Sequence, residues 1–508
     1  MRPLETLKNF FVSVCCYKSS GIDLKSVFGY PNRLRGGEIL SREKLNNMSG
    51  AVSARKMLPI ILTLSLPTML EQLLHTAVQY IDTAMVGSLG TSATAAVGAT
   101  STVSWLVGST ISAIGVGFLA FISQHMGSGE EDKARKASGQ AVLAVIVAGV
   151  FFTVLTTLLS SQIPVWMSVD ENIRDIAARY FLILYTPMLF RTASIIFGTV
   201  LRAVGDTKTP MLVGAGVNVL NIVLNFFLIY PTREYVLFKN TITVIGADLG
   251  VEGAALASAL SYTLGGIMIT IALWRHKTIS PKGQSLKPDK VIIKACFRVA
   301  LPNMFQRFAT SLGYVVFASM INSLGETSAA AHTIANTVES LFYIPGYGMQ
   351  TASAALSGYA YGAKDEGSLK RLVKTIIPLE VLLMILSGGL LFIFAPQLMS
   401  LFSKDKAVIE LGSVVLRMVA VSEPFYGVPI VIEGIMQGLG KTMIPFLFSV
   451  LGMWCVRIVG TFIFTQLLSG GLVEAWGCMI GHNLVLFVMF VAYFASGKWD
   501  PFRKSKKI

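Results

Sequence analysis

About twelve stretches of this chain are apolar and long enough to cross the hydrocarbon core of a bilayer, and this decides what it can fold into. They run approximately over residues 58–86, 92–125, 137–162, 173–201, 208–230, 250–274, 291–323, 328–361, 369–395, 407–437, 443–468 and 472–496. A crossing takes about 20 residues of helix. Lipid offers backbone groups no hydrogen-bond partner, so such runs become helices. Only 14% of the 508 residues are charged, against roughly 25% in soluble domains. A soluble fold is thereby excluded. The expected fold is an all-α integral membrane protein of about twelve helices in two six-helix lobes.

The net charge of +14 raises the question of nucleic acid, and the placement of the charges answers it. Lysine and arginine gather in alternate loops. One set holds Lys133, Arg135 and Lys136, then Arg202 and Lys208, then the linker from Arg275 to Arg298, then Lys364, Lys370, Arg371 and Lys374, then Lys441, then Lys498 to Lys507. The opposite set holds Arg174, Arg233, Lys239, Lys404 and Lys406. Loops rich in positive charge stay inside. Both termini are therefore expected in the cytoplasm, around a multi-pass protein of the plasma membrane. The pattern divides the chain into a basic, disordered cytoplasmic tail (1–57), a first lobe (58–275), a cytoplasmic linker (276–290), a second lobe (291–496) and a basic cytoplasmic tail (497–508). The five cysteines fit neither a metal site nor a disulfide framework.

The two lobes repeat. Leu66-Pro67 and Leu301-Pro302 are 235 positions apart, and so are Ser88-Leu89-Gly90 and Ser323-Leu324-Gly325. Gly127 and Gly362, and Gly205, Thr207 and Pro210 with Gly440, Thr442 and Pro445, keep the same offset. Six spans per copy make the repeats parallel. Internal repeats mark many secondary transporters, whose sites often lie near mid-membrane. Positions that differ between copies are the more informative. Asp82 faces Phe317 in the alignment, and Asn221 and Asn225 face Val456 and Gly460.

Polar residues inside the spans are the candidate site. Glu71, Gln72, His75, Gln79 and Asp82 share one face of the first helix, within an arc of about 100°. A charge in a membrane helix costs about 2.5–3.5 kcal/mol or more unless solvated, paired or protonated. The stripe thus reads as the wall of a wet cavity, or as a hydrogen-bonded seam between helices. A carboxylate in low dielectric can exchange a proton near neutral pH, and its oxygens also suit Na⁺. Asn218, Asn221 and Asn225 lie on one face of the fifth helix. They offer neutral ligands beside Asp82, with the Ser258 hydroxyl; an amide network without ions is the alternative. In the second lobe, His332, Asn336 and Glu339 share a face, and Gln306 and Arg307 lie one helix earlier. An Arg307–Glu339 ion pair and a substrate-cavity wall are equally open. Glu423 and Glu433 each offer a charge to a cation. Pro67 is a candidate hinge or a static kink.

No Walker motif, nucleophile with its base, or zinc spacing is present in the sequence. Neither ATP drive, nor enzymatic catalysis, nor a cofactor, nor a nucleic-acid partner is expected.

Three stretches carry a family resemblance: LPTMLEQLLHTAVQYIDTAMVGSLG from Leu66 to Gly90, LRAVGDTKTPM from Leu201 to Met211, and NIVLNFFLIY from Asn221 to Tyr230 followed by GVEGAALAS from Gly250. Over about residues 58–496 the chain resembles the multidrug and toxic compound extrusion (MATE) family. The resemblance implies a V-shaped pair of lobes and antiport of organic cations against H⁺ or Na⁺ by alternating access. It places the coupling ion at Asp82, Asn221, Asn225 and Ser258. Some members carry an aspartate where Asn225 stands, so this site has one formal charge fewer. Thr310 and Tyr426 stand near positions where others carry acids in the second lobe, which favours coupling through the first. The remaining candidates, Glu71, Gln72, His75, Gln79, Asn218, Gln306, His332, Asn336, Glu339 and Glu433, are assigned to the substrate cavity, Pro67 to the hinge, and the protein is expected to be a monomer. A flippase for a lipid-linked cargo is the alternative, and a membrane enzyme or structural component a remote one.

Overall fold

The structure is a computed structural model that describes residues 54–503, apart from 168, 238 and 239. It is helical almost throughout. The first lobe comprises α1 (Ala54–Gly87), α2 (Thr91–Gly127), α3 (Glu131–Leu159), the short α4 (Gln162–Trp166), α5 (Glu171–Tyr185), α6 (Met188–Ala203), α7 (Lys208–Leu228) and α8 (Gly250–Arg275). The second comprises α9 (Lys290–Asn322), α10 (Glu326–Phe342), α11 (Ile344–Gly362), α12 (Glu366–Phe402), α13 (Lys406–Gly438), α14 (Met443–Leu467) and α15 (Leu472–Ala495). Among the described residues, nine helices meet the length and hydropathy of a span, and α5 with α6 forms a tenth bent by 51°. The other two crossings are α9 and the α10–α11 pair, the counterparts of α1 and α2 in the repeat. The tail expected at residues 1–57 lies outside the described residues up to 53; residues 54–57 begin α1.

The 235-residue offset is written into the helix ends. Adding it to the starts of α2, α3, α5 and α7 gives the starts of α10, α12, α13 and α14. It then fails: α8 starts at 250 and α15 at 472, an offset of 222. The cause is an antiparallel hairpin confined to the first lobe, β1 (Pro231–Leu237) paired with β2 (Asn240–Ala247). Hydropathy reads this segment only as a loop, although Thr241-Ile242-Thr243-Val244-Ile245 is a β-branched run. Two spans expected as single helices are broken. The 173–201 span divides at Thr186-Pro187, and the 328–361 span at Tyr343. At the second break, Ser387 of α12 donates to the freed carbonyl of Phe342 at 2.8 Å. Lipid-embedded backbone needs such replacement partners.

Proline and threonine work together in the shared motifs. Pro67 cannot donate to the Thr63 carbonyl, and Thr207 Oγ1 lies 3.5 Å from that oxygen. Thr442, its repeat partner, donates at 2.8 Å to the Val299 carbonyl, one residue along from the Arg298 carbonyl that Pro302 leaves free. The shared Gly-x-Thr pattern is thus architectural. Gly205 and Gly440 supply the positive φ, 85° and 72°, that turns the chain into each Thr.

Between the lobes, α2 packs on α9 and α11, and α1 packs on α11. At the face that carries the basic loops the approach is closest. A Cβ on Gly127 would collide with the Tyr359 carbonyl, and one on Gly362 with the Gln124 carbonyl. These pairs are themselves related by the repeat. Gln124 also donates to the Gly438 carbonyl at 2.8 Å. The linker is held against α3, where Gln140 bonds the backbone of Ser285, Lys287 and Asp289. Burial holds the His276 imidazole below its usual value, against the pull of Asp206. The neutral ring accepts from the amides of Thr278 and Ile279. Trp499 of the C-terminal tail stacks on Phe494 at 4.6 Å; residues 504–508 lie outside the described residues.

Candidate functional site

The first-lobe set expected from helical spacing is brought together. Asp82 lies five residues before the end of α1 at Gly87, and α7 presents its asparagines to it. Asn225 Nδ2 donates to Asp82 Oδ1 at 2.6 Å and lies 3.2 Å from Asn221 Oδ1. Asn221 lies 3.0 Å from Ser258 Oγ of α8. With the Asn221 amide turned over, its nitrogen comes 2.8 and 3.0 Å from the two Asp82 oxygens and its oxygen accepts from Ser258. Either orientation puts the carboxylate in a cradle of amides. Asn218, Asn221 and Asn225 are all buried. While Asn225 donates to Asp82, Asn225 Oδ1 has no hydrogen-bond partner. A buried, unsatisfied acceptor beside a carboxylate suits a cation or a proton donor.

The other residues of the α1 stripe divide. Gln72, His75 and Gln79 are exposed. Glu71 is instead tied to Arg202 of α6, whose Nη2 lies 2.6 and 2.7 Å from its two oxygens. That pair joins residues 131 apart and leaves no mark in local sequence. The repeat offset puts Gln306 and Gln437 at the corresponding places of the second lobe. There Gln437 donates to Glu433 at 2.9 Å, and Gln306 and Arg307 also lie beside Glu433. Gln306 donates to Ser449 at 2.9 Å.

The Arg307–Glu339 pair is not formed. Arg307 donates to Asn303 on its own helix at 3.0 Å, one turn back, and no ion pair involves Glu339 among the described residues. His332 is buried between Phe317 and Trp476, and Trp476 Nε1 donates to its Nδ1 at 3.2 Å. It therefore belongs to the packing inside the second lobe. Asn336, one turn on, is exposed. Pro67 lies within an unbroken α1.

Two groups near these sites carry no signal of their role in the sequence. Arg191 of α6 lies over the rings of Tyr262 and Tyr185, at 4.9 and 5.6 Å. It is within electrostatic reach of His75 and of Tyr180, which also feels Asp82. The other is Glu380 of α12, 0% exposed, in the second lobe. A lone acid in an apolar helix has no companion on its face to mark it.

A family model described as MatE matches residues 67–227 and 302–463, one copy in each lobe. A Thermotoga maritima protein described as "Probable multidrug resistance protein NorM" is 26% identical over 440 residues, 87% of this chain and 92% of its own. A Bacillus subtilis protein, "Probable multidrug resistance protein YoeA", is 24% identical over 451 residues, 87% of this chain and 93% of its own. Among solved structures, "Crystal structure of MATE in complex with MaL6" superposes with a TM-score of 0.81 at 22% identity. It covers 93% of this chain and 100% of its own.

Proposed function

This chain belongs to the MatE family, whose members are multi-pass membrane transporters and not enzymes, and from that premise we propose that it exports small organic cations in exchange for H⁺ or Na⁺. The observation that carries the coupling is the Asp82–Asn225–Asn221–Ser258 cradle, a carboxylate held by amides inside the membrane-spanning lobe. Repeat symmetry supports a functional role for it. Phe317, Val456 and Gly460 stand at the matching places of the second lobe, so the fold itself does not require the polar groups.

The ion enters at Asp82 from outside, because the positive-inside rule puts the basic-loop face and the termini in the cytoplasm. Neutralising the carboxylate removes its attraction for a cationic cargo. It also changes how α1 packs on α7, with Pro67 as the point where α1 bends. The cargo leaves outward, and the lobes then rock to face inward. A one-for-one exchange of H⁺ for a monovalent cation moves no net charge. The roughly 2.3 kcal/mol that the proton gains down 100 mV is therefore offset by the exit of the cargo, and the pH gradient is what drives the export. Gln72, His75 and Gln79, exposed on the same helix, and Glu433 line the path of the cargo.

The test uses proteoliposomes loaded with a fluorescent organic cation. Efflux is followed under an imposed pH gradient and, separately, a Na⁺ gradient. One gradient should drive efflux in wild type, and Asp82→Asn should lose it by tenfold or more. If neither gradient moves any of a broad set of cations in folded protein, the drug-efflux reading fails, and a lipid-linked cargo becomes the leading idea.

A further inference from the structure

Three carboxylic acids lie inside the second lobe, away from the Asp82 cradle. Glu339 is in the last turn of α10, Glu380 on α12 and Glu423 on α13, at 2%, 0% and 1% exposure. Both oxygens of Glu380, both of Glu423 and Oε2 of Glu339 have no hydrogen-bond partner. Glu423 is within electrostatic reach of the other two. Room for Glu380 is cleared by two glycines. Its Oε1 lies 3.0 Å from where a Cβ on Gly346 would stand and 2.8 Å from one on Gly427.

The repeat shows that the fold needs no acids here. Subtracting 235 places Val145 opposite Glu380, Met188 opposite Glu423 and Ser104 opposite Glu339. Val145 and Met188 belong to the apolar core of the first lobe, at 4% and 0% exposure. Two of the three places are therefore packed with hydrocarbon in one lobe and hold carboxyl groups in the other, and the third holds the Ser104 hydroxyl in place of Glu339. Three unpaired carboxylates in such surroundings cannot all be ionised. The groups next to them are the Tyr343 hydroxyl, which hydrogen-bonds Glu339, and one cation, Arg457; Tyr314 and Tyr426 stand beside Tyr343, and Tyr347 beside Tyr426. Arg457 makes no ion pair among the described residues and lies against the rings of Tyr314 and Phe317; His332 and His482 stand beyond it. Tyr80 of α1 donates to the Thr337 carbonyl, at the edge of this region.

We propose that Glu339, Glu380 and Glu423 form a proton-exchanging site within the second lobe, separate from the first-lobe cradle. Protons fit better than a metal ion: among the described residues no three Asp, Glu, His or Cys side chains are spaced to hold one. The site lies at the α10–α11 break, next to the Ser387–Phe342 bond. Loss of a proton there puts a charge at the weakest point of that span and favours an arrangement that admits water.

The test is infrared difference spectroscopy of the purified full-length protein between mildly acidic and mildly alkaline buffer, read at the protonated-carboxyl band. Asp82→Asn serves as the background, so the first-lobe acid is silent. Glu380→Val with Glu423→Met then installs the residues that the first lobe carries. The background should show a pH-dependent band, and the added pair should cut its amplitude at least twofold. An unchanged amplitude, or a change that follows Na⁺ instead of pH, overturns the proposal. Should the apolar pair not fold, Glu380→Gln with Glu423→Gln is read against the same outcomes. The measurement needs no transport, so a failed efflux assay and a failed proton site are distinguishable.

Discussion

At the scale of single residues, the repeat supplies its own controls. The places of Glu71 and Arg202 in the first lobe are taken in the second by Gln306 and Gln437, which bond Ser449 and Glu433 and not each other. Two neutral amides are thus workable occupants of those places. Removing one partner of a part-buried ion pair leaves an uncompensated charge, which costs more than removing both. Glu71→Gln alone should destabilise more than Glu71→Gln with Arg202→Gln. The coupling in a thermal or denaturant double-mutant cycle should be about 1–3 kcal/mol. Additive effects would mean that the pair contributes no mutual stabilisation. This residue pairing was hidden in the sequence because its members are far apart along the chain. The Asp82 cradle was legible because asparagines at helical spacing inside an apolar span must find polar company within the protein. Glu380 had no such neighbours, and its signal lay only in the comparison with Val145.

At the scale of elements, apolar length marks ten of the spans, since lipid leaves the backbone no alternative to helix, and the 235-residue repeat marks the other two and the division into lobes. The breaks at Tyr343 and Pro187 could not be read in this way, because both halves stay apolar and only the replaced hydrogen bonds show where the axis turns. The hairpin at 231–247 was hidden for a different reason: its strands lie between spans, where no hydropathy pattern separates a ribbon from a loop. The two threonine bonds beside Pro67 and Pro302 show what the shared motifs do. Thr442 meets its carbonyl at 2.8 Å and Thr207 only at 3.5 Å, and a hydrogen bond weakens with that lengthening. Thr442→Val should therefore lower stability by about 1 kcal/mol, and Thr207→Val by less. Thermal melting of the two purified variants checks the order. Equal losses, or a larger loss at Thr207, would mean that α1 is held no more loosely than α9.

At the scale of the whole molecule, two lobes with the same helix ends must still separate and rejoin if access is to alternate. The closest approach between them is the crossing of α2 and α11, where each glycine faces the other helix's carbonyl. Small residues let membrane helices approach to van der Waals contact of their backbones. A side chain at either place forces the helices apart. Gly127→Val and Gly362→Val should both widen the separation of spin labels placed on the loops after α2 and after α11. The repeat makes the two shifts similar in size, because the two contacts are images of one another. Gly216→Val, where an added Cβ meets nothing within 4 Å, should leave the distance unchanged. In proteoliposomes both interface variants should lose coupled efflux while still binding dye in detergent, since the Asp82 cradle and the second-lobe acids are left intact. If the label distances do not move, this crossing is not what closes the basic-loop face. The seal would then have to be sought along α1 and α11, where Gly348 is packed against Met69.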